Sequence, residues 1–154
     1  MTAPVFVDTN VFVYQHDDSE PDKKPRADDW ITLLVRHRAG RLSFQVLQEL
    51  YATLTRKLKP GTPAAEAQLI VRDLCLWEPV TIDRAILERG WHLQERHALS
   101  WWDALIVAAA QWSECRVLLS EDMQHGQVFG SLRVIDPFES PGRSPADILT
   151  LPDR

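Results

Sequence analysis

The sequence predicts an α/β fold, a mostly parallel sheet of about four to five strands covered by helices on both faces. Three observations predict it. Short apolar runs rich in valine recur along the chain, each precedes a stretch whose apolar residues return at helical spacing, and the two kinds of segment alternate. Alternation of this sort implies crossover connections and therefore parallel strands. The 154 residues amount to one domain, large enough to bury roughly two thirds of its unfolded surface without a disulfide or structural metal.

Ala3 to Val7 is a nearly unbroken apolar run, as expected of a strand covered on both faces. A short helix follows, and then Lys23-Lys24-Pro25-Arg26 reads as a polar loop. Ala27 to Arg38 carries apolar residues at Trp30, Leu33, Leu34 and Val35, nearer a period of 3.6 than of 2, with Gly40 placed to stop a helix. Arg41 to Phe44 is a second strand. Gln45 to Leu58 returns to helical spacing through Val46, Leu47, Leu50, Leu54 and Leu58, with Arg56, Lys57 and Lys59 near its end, where cations favour the dipole. Lys59-Pro60-Gly61 breaks it, and Thr62-Pro63 supplies an N-cap and a first-turn proline for a helix to Leu76. Glu78 to Thr81 is a short strand, and Asp83 to Arg96 is an amphipathic helix. Ser100-Trp101-Trp102-Asp103 has the form of a capping box, opening a helix to Glu114 that is apolar nearly all round and so belongs in the interior. Arg116 to Leu119 and Leu132 to Ile135 complete the strands. The domain therefore spans residues 1–138, and residues 139–154, with three prolines and little periodicity, read as a poorly ordered surface tail.

Composition removes several function classes. At 45% hydrophobic and 25% charged residues the chain is that of a globular protein. A net charge of −5 excludes a polybasic binder acting by bulk charge, though not one acting through a local patch. The longest apolar run, Ala104 to Ala110, is far too short to span a bilayer, and Asp8 falls where a secretory leader would be apolar, so a cytoplasmic location is expected. Cys75 and Cys115 fit no zinc spacing and lie in apolar stretches, which predicts buried free thiols.

In an open parallel sheet, ligands bind beyond the carboxyl ends of the strands. Asp8 ends the first strand, Asp122 follows the Arg116 to Leu119 strand, Glu49 sits in the first turns of the helix after the second strand, and Asp103 in the first turn of the interior helix. All four face one rim, with no Lys or Arg within three positions of any of them. Two carboxylates ~4 Å apart repel by up to ~4 kcal/mol at an effective dielectric of ~20. A cation is therefore expected, and an oxygen-only donor set suits Mg²⁺, with Mn²⁺ as a substitute. Each acid also has a plainer reading: Asp103 as part of its helix cap, Asp8 as a cap of the short helix, Glu49 as a solvated helix residue, and Asp122 as a turn residue. Joint placement favours the metal.

At these positions the chain resembles the PIN-domain nucleases, most closely the VapC-type toxins of bacterial type II toxin–antitoxin pairs. The residues that carry the likeness are Val5-Phe6-Val7-Asp8-Thr9-Asn10-Val11, Val46-Leu47-Gln48-Glu49, Trp102-Asp103-Ala104 and on to Ala110, and Leu118-Leu119-Ser120-Glu121-Asp122, spanning Val5 to Phe138. The resemblance implies a PIN-like three-layer α/β/α domain and a Mg²⁺-dependent endoribonuclease in which Asp8, Glu49, Asp103 and Asp122 hold the ion. Thr9, Asn10 and Ser120 would support those acids by hydrogen bonding. It also implies a homodimer and a cognate antitoxin that occludes the cleft. Family members often carry another acid two positions after the one matching Asp122; here that position is Gln124, which favours one ion over two. Hydrolysis by a metal-activated water would leave a 5′-phosphate and a 3′-hydroxyl.

An acidic cleft must still attract a polyanion. The first 100 residues hold 13 basic groups against 14 acids and the remainder four against eight, so phosphate contacts are expected from Lys23, Lys24, Arg26, Arg36, Arg38 and Arg41. Solvation is the plainer role for each. Trp101 and Trp102, next to Asp103, are candidates for stacking a base or for packing, and His125 reads as structural. Three other readings compete. A Mg²⁺-dependent phosphatase of the haloacid dehalogenase type needs a second Asp two residues after the first, where this chain has Asn10. A response-regulator receiver needs a lysine after a late strand, which is missing. A catalytically silent interaction module has no use for four mutually repelling acids.

Overall fold

A computed structural model of the chain describes residues 3–150. The strands are β1 (Val5–Val7), β2 (Gly40–Arg41), β3 (Val117–Leu119), β4 (Val128–Phe129) and β5 (Leu132–Ile135). The helices are α1 (Thr9–Tyr14), α2 (Lys23–Arg36), α3 (Phe44–Arg56), α4 (Ala64–Leu74), α5 (Arg84–Arg96), α6 (Trp101–Trp112) and α7 (Pro145–Leu149). One sheet in the order β2-β1-β3-β5-β4 runs through the domain, parallel except for β4, and helices flank it, as the sequence predicts.

Register sets the rim where the chemistry is expected. Val5, Phe6 and Val7 lie opposite Val117, Leu118 and Leu119, which in turn lie opposite Arg133, Val134 and Ile135. All of β1 is buried, so its backbone is spent on neighbouring strands. The next residues leave the sheet side by side: the Asp8 amide donates to Leu119 O at 3.0 Å, and the Ser120 amide to Ile135 O at 3.1 Å. Residues Ala104 to Ala110 of α6 are all buried, which explains the apolar run: the helix is covered on more than one side, by α5, where Leu105 lies against Gly90, and by β3. Helix α5 packs along α6, while α1 packs on α2 and α3, and α4 on α3. Ser43 caps α3, Asp83 caps α5 and Ser100 caps α6, each side chain accepting a first-turn amide.

The structure departs from the sequence reading at several places. Lys23, Lys24, Pro25 and Arg26 form the first turn of α2 rather than a loop; Pro25 is tolerated because first-turn amides have no intrahelical partner. Pro63, not Thr62, is the residue before α4, and that helix ends at Leu74 in a 3₁₀ turn over Cys75–Trp77. Only Val80 of the expected Glu78 to Thr81 strand pairs, bridging to Ser43, since Pro79 has no amide with which to extend a ladder. Strand β4 has no apolar alternation to announce it; it turns back on β5 through Gly130, whose φ of +63° suits glycine. Cys115 is buried, but Cys75 is exposed. Residues 139–150 include a further short helix: Ser144 caps α7, which packs on α2, and the buried Arg26 donates through Nε to Pro137 O and through Nη2 to Ser140 O, both at 2.9 Å. Pro145 at the first helical position starts the turn that periodicity alone misses. The rest of the expected tail, residues 151–154, lies outside the described residues.

Gly40 does not terminate α2; Arg38 makes the left-handed turn there, with φ of +51°. Gly40 instead begins β2 because the Trp77 ring lies flat against it, where a Cβ would overlap the ring atoms. Gly40→Ala is therefore expected to destabilise the fold by ~1–3 kcal/mol through overpacking, read as a lower urea midpoint with unchanged m-value. An unchanged midpoint would show that Trp77 does not pin this edge.

Candidate active site

Asp8 is the centre of the rim. It is 4% exposed; its Oδ1 accepts from the Thr9 amide at 2.8 Å and its Oδ2 from Ser120 Oγ at 2.7 Å and Asn10 Nδ2 at 3.3 Å. Asn10 Nδ2 also donates to Asp122 Oδ2 at 3.1 Å, and the Asp122 amide donates to Ser120 Oγ at 3.1 Å. Asn10 and Ser120 thus clip the end of β1 to the loop after β3. Glu49, on α3, is held from two sides: Thr9 Oγ1 donates to its Oε2 at 2.9 Å and Gln45 Nε2 to its Oε1 at 3.1 Å. Asp103 sits in the first turn of α6, its amide bonded to the Ser100 cap at 3.1 Å, so its carboxylate is mounted on a fixed helix start.

Electrostatics couples the four. Burial pushes the Asp8 carboxyl up to about 7, against the opposing pull of hydrogen bonds from Ser120 and Thr9; the charges of Asp122 and Glu49 push it further up. Asp103 is also raised, first by burial and then by the charges of Asp122 and Glu49. Asp122, in the loop after β3, and Glu49, on α3, thus act on both Asp8, at the end of β1, and Asp103, on α6. Among the described residues no three acids, histidines or thiols are drawn into a tight metal cage. The donor set is all oxygen and net negative, one member is almost fully desolvated, and polar neighbours hold three of the four in place; such a set fits a hard divalent cation.

The chain's own cations are arranged differently. Lys23 reaches the rim but pairs with Glu121 Oε2 at 2.9 Å, and it stands 4.8 Å from the Tyr14 ring centroid and 5.3 Å from that of Phe138. Tyr14 donates its hydroxyl to the other Glu121 oxygen. Burial and Glu121 raise the Tyr14 phenol to about 12, and Glu121 also raises Lys23. This clamp braces the residue between Ser120 and Asp122 instead of offsetting the four acids. Lys24 is ion-paired with Asp18 on the exposed side of α2's first turn. Arg26 is consumed by the backbone carbonyls of Pro137 and Ser140. Arg36 lies 13 residues along α2 from Lys23, about 20 Å by helical rise. Arg38 follows it, and Arg41, paired in register with Phe6, donates to the carbonyls of Arg38 and Gly40. The last three are thus away from the acids.

Trp101 packs inward, stacked on Trp91 at 6.1 Å, whereas Trp102 is 63% exposed. His125 accepts the Asp136 amide on Nδ1 at 3.0 Å. Sequence reasoning missed Tyr14, Gln45 and Glu121. Gln45 had a signal, since it precedes Glu49 by one helical turn; Tyr14 had none, because its partner is 107 residues away.

The raised Asp8 carboxyl makes stability depend on pH with a definite sign. The native state binds this proton more tightly than the unfolded chain, so stability is fully present below the ordinary value of 3.8 and is lost as pH rises through about 7. In a chelator, the thermal midpoint should fall across that window, with a total cost of up to about 4 kcal/mol. Asp8→Asn should flatten the fall and melt higher than the parent at pH 7.5. A variant that melts lower at that pH would contradict the assignment.

Among the described residues no helix is long and apolar enough to cross a membrane. The chain has no significant match among curated proteins. The family model of the PIN domain matches residues 5–128, from β1 through the start of β4, and so takes in all four acids and the strand ends and helices that carry them. Members of that family are in general nucleases dependent on divalent metals. The match covers most of the chain, and on it the protein belongs to the PIN domain family.

Proposed function

We propose that the protein is a Mg²⁺-dependent endoribonuclease acting as the toxin of a toxin–antitoxin pair in the bacterial cytoplasm. The observation that carries the nuclease reading is the convergence of Asp8, Glu49, Asp103 and Asp122, from four separate elements, on the carboxyl-terminal rim of the sheet, with Asp8 and Asp103 raised in part by the others' charge. The toxin reading is supported by the likeness of the four motifs to VapC-type proteins. In it, a homodimer is the working form and an antitoxin covers the cleft.

The four acids would hold the ion, which when bound lowers the pKa of a coordinated water and neutralises charge developing on the phosphorus oxygens. The chain supplies orientation. Thr9, Asn10 and Ser120 fix the carboxylates of Glu49, Asp8 and Asp122, so the donor set loses little freedom on binding. Burial of Asp8 keeps bulk water from one side of the site. In this reading Lys24, ion-paired with Asp18 in the exposed first turn of α2, would exchange that partner for an RNA phosphate, and Trp102, exposed beside Asp103, would stack a base. Arg36, Arg38 and Arg41 would meet RNA only at a distance from the cut.

Incubation of the purified chain with a long single-stranded RNA in millimolar MgCl₂ should yield fragments with 5′-phosphate and 3′-hydroxyl ends, with none in EDTA and Mn²⁺ substituting. Asp8→Asn and Asp103→Asn should each lower the cleavage rate by ~100-fold or more while the variants remain folded. Cleavage by either variant at the parental rate would overturn the ligand assignment. Release of phosphate from small esters, with RNA left intact, would favour a phosphatase, and absence of both activities a silent interaction module.

A further inference from the structure

Gln45 is 5% exposed and faces the candidate site with an unusual balance of bonds. Both hydrogens of its Nε2 are used: one on Glu49 Oε1 at 3.1 Å, the other on the carbonyl of Trp102 at 3.2 Å. Its Oε1 is buried and has no partner. Reversing the amide would set its oxygen against two acceptors, so the network itself fixes the orientation. A buried carbonyl without a donor is a net cost to the fold, and an apolar side chain of the same length would avoid it. The amide is therefore explained by what its donors do and not by what the residue adds to stability.

Those donors link two of the acid-bearing elements. Trp102 is the residue before Asp103, so one nitrogen ties the Glu49 carboxylate on α3 to the start of α6. On the other side Thr9 Oγ1, next in the chain to Asp8, holds the second Glu49 oxygen at 2.9 Å. The Glu49 carboxylate is thus suspended between donors that belong to, or are anchored on, the segments carrying Asp8 and Asp103. Removing the Gln45 donor leaves the Glu49 carboxylate held by Thr9 alone, so its terminal torsion gains freedom that must be surrendered again whenever a cation binds. We propose that Gln45 is a positioning residue that sets the Glu49 carboxylate relative to Asp103 for a divalent cation, an inference that rests on the metal-dependent reading above.

The test is a thermal-shift titration of the full chain with MgCl₂, started from EDTA-treated protein, for the parent and Gln45→Met. Gln45→Leu serves as a second variant should methionine impair folding, and Gln48→Met, at an exposed position of the same helix, as the control. The Mg²⁺ concentration at half the full shift should rise about tenfold in the Gln45 variants, while their midpoint in EDTA stays level or rises and Gln48→Met behaves as the parent. At saturating Mg²⁺ the RNA cleavage rate of Gln45→Met should return to within about threefold of the parent, as expected when metal affinity and not the chemical step is affected. A residue with only a packing role gives the reverse pattern: a lower midpoint in EDTA and an unchanged Mg²⁺ requirement. That pattern, or no change in either quantity, overturns the inference while leaving the metal-dependent reading intact. Absence of any Mg²⁺ shift in the parent overturns the reading and the inference together.

Discussion

The uncompensated burial of Asp8 is the constraint on which the rest of the site depends. A carboxylate that is 4% exposed has lost most of its hydration, and among the described residues no basic side chain is bonded to it in the hydrogen-bond network that surrounds it. Thr9, Asn10 and Ser120 partly replace the lost hydration, yet burial still outweighs them and the carboxyl is raised to about 7. The parallel sheet makes the arrangement possible. Because β1, β3 and β5 are in parallel register, their carboxyl ends stop together, and the loops that follow meet at one rim.

The distribution of positive charge follows from that constraint. A lysine beside Asp8 would satisfy it and remove the need for a cation from outside. Lys23 comes near but is committed to Glu121 and to the faces of Tyr14 and Phe138, where it braces the loop carrying Ser120 and Asp122. Arg26 likewise serves the backbone, joining residues 137–140 to α2. Helix α2 therefore acts as scaffold at the rim more than as a phosphate-binding surface, contrary to what a run of basic residues suggests by itself.

Most of the fold was legible because periodicity and burial report the same thing. The run from Ala104 to Ala110 reads as an interior helix and is one, and Val5 to Val7 reads as a strand covered on both faces and is one. The four acids were legible as a group because topology places strand ends and helix starts at the same rim, an argument that needs no side-chain coordinates. What escaped depended on contacts between distant residues. Whether Lys23 faces solvent or Glu121 depends on a partner 98 residues away, and Arg38 takes a left-handed turn that a reading of glycines assigns to Gly40. Residues 139–150 lack apolar periodicity, and the helix they contain depends instead on a serine cap and a first-turn proline, with Arg26 reaching Ser140 O from 114 residues away.

The central claim, that these four acids share one divalent ion, is tested most directly by paramagnetic broadening. Mn²⁺ added in substoichiometric amounts to ¹⁵N-labelled protein should first erase the backbone amide signals of residues 8–10, 49, 103 and 120–122, and an excess of Mg²⁺ should restore them. Broadening that is uniform over the surface, or centred on other acidic residues, would contradict it.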